Sequence, residues 1–111
     1  MIAAREAVQD AAVEWTPELR ETAAIITGSC LGGQSTEDIG FHEVYKLGHN
    51  RVHPLPIPKT MANAGASHIS MEFGITGPSF TISTACSSAG HAIGQAFWMV
   101  AAAKRRSASA S

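Results

Sequence analysis

A cysteine placed among small residues is the side chain of this sequence best suited to covalent chemistry. Cys86 lies in the run Thr-Ala-Cys-Ser-Ser-Ala-Gly that covers positions 84–90. Residues 80–84 are β-branched or aromatic apart from one serine, which predicts a short buried strand before the cysteine. Ile93, Phe97 and Val100 then recur at helical spacing without an intervening proline. Cys86 is therefore expected at a strand-to-helix junction.

Such a junction favours a nucleophilic cysteine for two physical reasons. The positive end of the helix dipole and the first unpaired backbone N–H groups stabilise a thiolate relative to a thiol. The same N–H groups can hold the oxyanion that forms when a thiolate attacks an acyl carbonyl. The G-x-S-x-G elbow of hydrolases is absent here. A buried structural cysteine is the alternative interpretation of Cys86.

The rest of the chain predicts an alternation of helices and strands that would position this cysteine. Thr16-Pro17 breaks the first helix, and Pro17 can open a further turn. Ser35 or Thr36 is expected to cap a later helix, and Gly74 is a natural C-cap. This order predicts an α/β fold with helices layered on a sheet. Helices are predicted over residues 2–15, 35–47, 61–73 and from the cysteine to 103, and strands over 22–27 and 80–84.

Two loops stand out by their glycine and proline content. Residues 28–33 (GSCLGG) contain three glycines, which allow a tight turn or the close approach of a ligand. No Gly-Lys-Ser or Gly-Lys-Thr sequence follows, so this is not a P-loop. Residues 48–59 contain three alternating prolines, which predict extended chain. His49 and His53 are spaced like metal ligands, but Gly48 and Pro54 argue against a metal-binding helix face.

Composition argues against several classes of protein. The 111 residues carry a formal net charge of -1, and 45% of them are apolar, which is ordinary for a globular domain and argues against a nucleic-acid binder. No apolar run is long enough to span a bilayer, and the N-terminus lacks the pattern of a signal peptide. Two cysteines make no disulfide framework, which predicts a reducing, cytoplasmic location. Residues 104–111 (KRRSASAS) are polar and repetitive, so we expect a disordered tail.

Four motifs follow one another along residues 1–103 in the order found in one known family. They are GSCLGG at 28–33, HPLPIPKTM at 53–61, NAGASH at 63–68 followed by GITGP at 74–78, and TACSSA at 84–89 with His91, Ile93 and Gly94 after it. With these motifs the chain resembles the β-ketoacyl-acyl-carrier-protein synthases, the condensing enzymes of fatty-acid and polyketide synthesis. The resemblance implies a partial thiolase-like fold for residues 1–103.

The resemblance also implies roles for particular residues. Cys86 would be the nucleophile that accepts an acyl chain, and its backbone N–H would form half of an oxyanion hole. Leu31 falls where the family places a side chain that lines the acyl pocket. His68 and His91 are typical of the family but are expected to be structural. The implied partner is acyl carrier protein, which delivers its own phosphopantetheine arm, so no metal or other cofactor is expected. The complete enzyme is expected to be a homodimer that meets at the strand before Cys86.

The sequence also departs from the family pattern. In the family, two further histidines and a nearby lysine come from the second half of a much longer chain, and those histidines stabilise the enolate formed when malonyl-carrier protein loses CO2. No such motif is found here, and the family's first strand and the segments after position 103 also lack counterparts. One expectation is therefore an incomplete N-terminal portion that keeps only the nucleophile. The alternatives are a non-catalytic fragment, or one chain of a pair whose partner supplies the histidines. A stand-alone cysteine hydrolase is weaker, because no histidine is placed to act as its base.

Overall fold

The structure is a computed structural model that describes residues 1–51 and 56–109. Its elements form a mixed α/β arrangement, which confirms the fold class at that level. In chain order they are α1 (Ile2–Asp10), α2 (Pro17–Thr22), β1 (Ile25–Gly28), α3 (Gln34–Phe41) with a π-helical continuation (His42–Lys46), α4 (Pro56–Thr60), α5 (Ala64–Phe73), β2 (Ser79–Ile82) and α6 (Ser88–Ser109).

The two strands pair in parallel over four residues. The register runs from Ile25 opposite Ser79 to Gly28 opposite Ile82. Hydrogen bonds extend the pairing at both ends, since the Ile25 N–H donates to the Pro78 carbonyl at 2.8 Å and the Ser29 N–H donates to the Ile82 carbonyl at 3.1 Å. A parallel pair needs a long crossover, and here it contains α3, α4 and α5.

Helices α5 and α6 lie on opposite faces of this sheet. Ile25 is buried in a cluster with Ala66 of α5 and Ile75. The next residue, Ile26, lines a groove together with Ala96 of α6. Because consecutive residues of a strand face opposite sides, the sheet is layered between the two helices, as the sequence predicts.

The apolar core is small for a chain of this length. Among the described residues, the buried apolar side chains are Ile25, Ala66, Ile75 and Ala92. The Cα radius of gyration is 17.9 Å, whereas a compact chain of this size has about 13 Å. Large apolar side chains of α6 stay uncovered, with exposed fractions of 72% for Ile93, 64% for Phe97, 61% for Trp98 and 58% for Val100. The packed part of the molecule therefore covers only one side of α6.

Contacts between side chains connect the N-terminal segment to α5. The Arg5 guanidinium forms an ion pair with Glu72 at 2.6 Å, although both side chains are partly exposed and the pair contributes little. The Trp15 ring stacks on Phe73 with centroids 5.8 Å apart, and the Arg20 guanidinium lies 5.4 Å from the Trp15 centroid. The sequence predicts that Trp15 lies on the first helix, but that helix ends at Asp10. Ala12, which has a left-handed φ of 47°, turns the chain there.

Local signals in the sequence set the ends of two helices. Pro17 is the first residue of α2, and the Thr16 hydroxyl accepts a hydrogen bond from the Leu19 N–H at 3.1 Å, which confirms the break and the further turn. Gly74 is the C-cap of α5 in the left-handed conformation, as predicted. The sequence predicts that this helix starts at residue 61, but it begins at Ala64.

The predicted cap of α3 is wrong. Gly33 is the N-cap, with a left-handed φ of 58°, and its carbonyl accepts from the N–H groups of Thr36 and Glu37 at 2.8 and 3.1 Å. A glycine adopts this conformation without the clash that a Cβ would cause, so the turn and not a serine hydroxyl starts the helix. Ser35 and Thr36 lie within the helix instead.

Two segments predicted to lack helix are helical in the structure. Residues 52–55 of the proline-rich loop lie outside the described residues, but α4 contains Pro56 and Pro58. Proline is tolerated in a first turn, because the N–H groups there have no acceptor within the helix. The expected disordered tail is also corrected, since α6 runs on to Ser109. Alanine, lysine and arginine favour helix, and basic side chains suit a helix C-terminus; residues 110–111 lie outside the described residues.

Both strands are shorter than predicted, because a neighbouring helix or turn takes up residues at one end of each strand. The segment predicted to form the first strand begins at Thr22, but that residue closes α2, so β1 starts at Ile25. The second strand ends at Ile82, because the chain then turns towards α6. Among the helices of the described residues, none is both long and apolar enough to cross a bilayer.

We predict that the isolated chain is not a stable monomer. Exposed apolar patches of this kind are uncommon on monomers, and a two-stranded sheet leaves strand edges that can recruit further chains. Sedimentation velocity should therefore show self-association or aggregation, with circular dichroism used to follow the fold. A monodisperse monomer with a cooperative thermal transition would contradict this expectation.

Candidate functional site

The turns that follow β1 and β2 leave the sheet at the same end, because the strands are parallel. Gly28 and Ile82 are paired at that end. The glycine-rich turn begins there and carries Leu31, and the turn between β2 and α6 carries Cys86. The fold thus brings the two predicted site residues onto neighbouring turns at the carboxyl edge of the sheet.

Gly28 allows the two turns to meet. A Cβ on Gly28 would lie 2.6 Å from the Ala89 backbone nitrogen and closer still to the Ser88 carbonyl group. No side chain fits in that space, so the start of α6 rests directly on the end of β1. The sequence predicted a tight turn or the approach of a ligand at these glycines; at Gly28 it is the chain's own helix that approaches.

The turn around Cys86 is tight and internally hydrogen bonded. The Thr84 carbonyl accepts from the Ser87 N–H at 3.1 Å, and the Ala85 carbonyl accepts from the Ser88 N–H at 3.2 Å. Ala85 has a left-handed φ of 49°, which is unfavourable for any residue with a Cβ. Cys86 itself is exposed and its thiol is free, so the alternative of a buried structural cysteine is wrong.

Ser88 connects this turn to the sheet, and sequence reasoning treated it only as a small neighbour. Its hydroxyl accepts from the Thr84 N–H at 2.9 Å and donates to the Ala85 carbonyl at 2.7 Å. Its exposed fraction is only 3%. Serine is common at the start of helices, and that preference was the only signal in the sequence that could have pointed to it.

The other predicted residues are placed as follows. Leu31 is 62% exposed, and its carbonyl accepts from the Ser29 hydroxyl at 2.7 Å; its place in an acyl pocket stays a prediction. His91 Nδ1 lies 2.6 Å from the Thr84 hydroxyl oxygen, so this histidine has a hydrogen-bond partner in the turn, although its structural role also stays a prediction. His68 is exposed.

No metal centre is formed by the described part of the chain, where no group of three or more His, Cys, Asp or Glu side chains is arranged to hold an ion. His49 lies in the segment after the π-helical turn. His53 lies outside the described residues, so the pair is not tested.

Comparison with known proteins decides the family. The family model described as "Beta-ketoacyl synthase, N-terminal domain" matches residues 1–106. The chain belongs to the β-ketoacyl synthase family.

The ketoacyl synthase domain has relatives named 3-oxoacyl-[acyl-carrier-protein] synthase 2. The protein of that name from Staphylococcus aureus is 31% identical over 100 residues, which cover 90% of this chain and 25% of the relative. The one from Vibrio harveyi is 33% identical over 96 residues, which cover 86% of this chain and 23% of the relative. The chain therefore spans about a quarter of the length of these relatives.

We predict that Gly28→Ala destabilises the ketoacyl synthase domain. The added methyl group would overlap the backbone of Ser88 and Ala89, and overpacking of this kind costs about 1–3 kcal/mol. The matched control is Gly90→Ala in α6, where a Cβ meets nothing within 4 Å and alanine favours helix. Urea unfolding followed by circular dichroism at equal protein concentration compares the variants. Equal midpoints for Gly28→Ala and the parent chain would show that the contact is not required.

We also predict that Cys86 reacts with iodoacetamide faster than Cys30. Both thiols are free and exposed, so accessibility alone does not separate them. Cys86 lies two residues before Ser88, the first residue of the long helix α6, and reactive cysteines are typically found at helix N-termini. Peptide mapping after limited alkylation measures both rates, and alkylation in guanidinium is the control in which the difference should disappear. Preferential labelling of Cys30 in the native chain would contradict the assignment of Cys86.

Proposed function

We propose that this chain is the acyl-accepting portion of a β-ketoacyl-acyl-carrier-protein synthase and that Cys86 is its nucleophile. The observation that carries the proposal is the family match over residues 1–106. Support comes from the exposed, free thiol of Cys86 and from its position between β2 and α6. The substrate class is an acyl thioester of a carrier protein, in fatty-acid or polyketide synthesis.

In the proposed step, the Cys86 thiolate attacks the carbonyl carbon of the thioester. A new bond forms between that carbon and Sγ, and the bond to the phosphopantetheine sulfur breaks. The proton lost by the Cys86 thiol is balanced by the proton taken up by the departing thiolate. Acyl transfer between two sulfur atoms needs no redox partner and no metal, so the only prosthetic group proposed is the arm on the carrier protein.

The tetrahedral intermediate of this step carries an oxyanion that needs preorganised donors. The N–H groups of Ser87 and Ser88 already donate to carbonyls within the turn. We therefore assign one half of the oxyanion hole to the N–H of Cys86 itself. The tight turn would hold that donor in one orientation before the substrate arrives, which is how a fixed dipole lowers a barrier.

Leu31 is proposed to contact the acyl chain. It lies on the turn next to that of Cys86, and its apolar side chain is 62% exposed. An exposed leucine beside a nucleophile offers an apolar surface to an alkyl chain.

Partner and location follow from the same family. The names of the relatives include acyl carrier protein, and we propose that it is also the partner here, in the cytoplasm. A homodimer of the complete enzyme, joined at β2, is part of this proposal, and β2 belongs to a sheet of two strands.

A second candidate is that the chain is non-catalytic alone, or acts with a partner chain that supplies the two catalytic histidines. The chain spans about a quarter of its relatives, and α6 exposes Ile93, Phe97 and Trp98. An uncovered apolar helix face of this kind is what a complementary partner would bury. Decarboxylative condensation with malonyl-carrier protein would then require that partner.

We predict that the purified chain becomes acylated at Cys86 but does not condense. Incubation with an acyl-loaded carrier protein should add one acyl group, detected by intact mass and peptide mapping, because attack needs only the thiol and an oxyanion site. Cys86→Ala should abolish the adduct, whereas the matched variant Cys30→Ala should keep it. Malonyl-carrier protein should give no ketoacyl product, since the family's histidines are not matched in this sequence.

Two results would contradict this expectation in different ways. An adduct on Cys30 would remove Cys86 as the nucleophile, and a ketoacyl product from the chain alone would show that the condensation machinery is complete. No adduct on either cysteine would favour the second candidate.

A further inference from the structure

We infer that Ser88 is the positioning residue of Cys86: its buried hydroxyl holds the strained turn that presents the thiol at the start of α6. This inference rests on the proposed function of Cys86 as the nucleophile, but it concerns a different side chain and a different measurement. It assigns to Ser88 a role in orienting the thiol, without contact to substrate.

The hydrogen bonds of Ser88 point in an unusual direction for a serine at a helix N-terminus. A capping serine accepts from N–H groups further along its own helix. The Ser88 hydroxyl instead reaches back along the chain, accepting from the Thr84 N–H at 2.9 Å and donating to the Ala85 carbonyl at 2.7 Å. Both partners precede Cys86, so the hydroxyl stabilises the turn and not the helix.

The turn has a conformation that needs such stabilisation. Ala85 adopts a left-handed φ of 49°, which a residue with a Cβ adopts only where its surroundings impose it. Ala85 also accepts from the Ser88 N–H at 3.2 Å. The carbonyl of the strained residue is thus held by the backbone and by the side chain of the same serine.

Ser88 can fix the turn because its own position is fixed by packing against the sheet. Its backbone lies against Gly28 at the end of β1, in a space where no Cβ fits. Its side chain is 3% exposed, so water does not compete for its hydroxyl. A second bond runs in parallel, from Thr84 to His91 of α6 at 2.6 Å. The orientation of Cys86 relative to α6 therefore depends on a rigid path from the sheet through Ser88 to Ala85.

The test measures the ratio of the alkylation rates of Cys86 and Cys30 in the native full chain. Cys30 is the internal standard, because it is free and exposed and lies on the other turn. We expect Ser88→Ala to lower the ratio by about threefold to tenfold, the range that corresponds to the net contribution of one typical hydrogen bond. Ser87→Ala is the matched control, because the Ser87 side chain is exposed, and it should leave the ratio unchanged.

A rescue variant separates positioning from general stability. Glycine adopts a left-handed conformation without strain, so Ala85→Gly should reduce the need for the Ser88 hydroxyl. The double variant Ala85→Gly/Ser88→Ala is therefore expected to recover most of the parent ratio. A serine that only stabilised the helix or the core would not be replaced by a change at position 85.

The outcomes decide the inference in each case. A folded Ser88→Ala chain with the parent ratio, or a lowered ratio that Ala85→Gly does not restore, would overturn it. If Ser88→Ala fails to fold by circular dichroism, the double variant decides: a folded chain with the parent ratio supports the inference, and an unfolded chain or a low ratio overturns it. Alkylation involves no acyl group, so the carrier-protein assay can fail while the alkylation ratio changes as expected. Acylation can likewise succeed while the ratio stays unchanged, so failure of this inference is distinguishable from failure of the proposed function.

Discussion

The absence of a side chain at Gly28 is the constraint on which the rest of the site depends. It lets the first turn of α6 rest on the end of β1 with backbone against backbone. The turn of Cys86 is thereby fixed at the edge of the sheet, beside the turn that carries Leu31. A similar contact occurs at Gly77, where a Cβ would overlap the Ala23 carbonyl. The backbone before β2 therefore packs directly against the backbone at the end of α2.

The layers around the sheet differ in how completely they are packed. On the α5 face, Ile25, Ala66 and Ile75 form a buried cluster, and Trp15 and Phe73 partly cover it. On the other face, α6 contacts the sheet along one side and leaves Ile93, Phe97 and Val100 exposed. The buried cluster lies at the amino end of the strands, where Ile25 is paired with Ser79, and not at the carboxyl edge that carries the turn of Cys86. Local order around Cys86 therefore comes from the sheet and the turns, and owes little to a large apolar core.

Much of the fold could be predicted because its signals are local. Thr16-Pro17, Gly74 and the alternation of apolar segments each act within a few residues, and each gave the expected element. The wrong predictions concern positions where contacts between residues distant in sequence determine the backbone conformation. Ala12 and Ala85 carry no sequence mark of their left-handed φ, and nothing in GSCLGG shows that the partner of Gly28 is Ser88, far along the chain. Composition predicts disorder for the basic residues after position 103, whereas helix propensity and the preceding helical turns extend α6 through them.

The candidate site residues also divide into those with a local sequence signal and those that depend on contacts across the chain. The motifs predict Cys86 and Leu31 as site residues, and the parallel pairing of β1 and β2 explains why the two turns that carry them lie at one edge of the sheet although they are distant in sequence. Ser88 was missed because its importance lies in burial and in the direction of its hydroxyl, and neither is visible in a run of small residues.

The parallel pairing has a consequence for how the chain reaches its structure. The hydroxyl groups of Thr27 and Thr81 are 2.7 Å apart in the folded sheet but 54 residues apart in sequence. Closing so long a loop costs entropy before any strand pairing rewards it, and such topologies fold slowly. During synthesis, β1 must wait until β2 and the start of α6 have left the ribosome, which takes several seconds at usual elongation rates. Through that interval the residues of β1 have no strand to pair with, and Ile25 lacks the buried cluster that covers it in the folded chain.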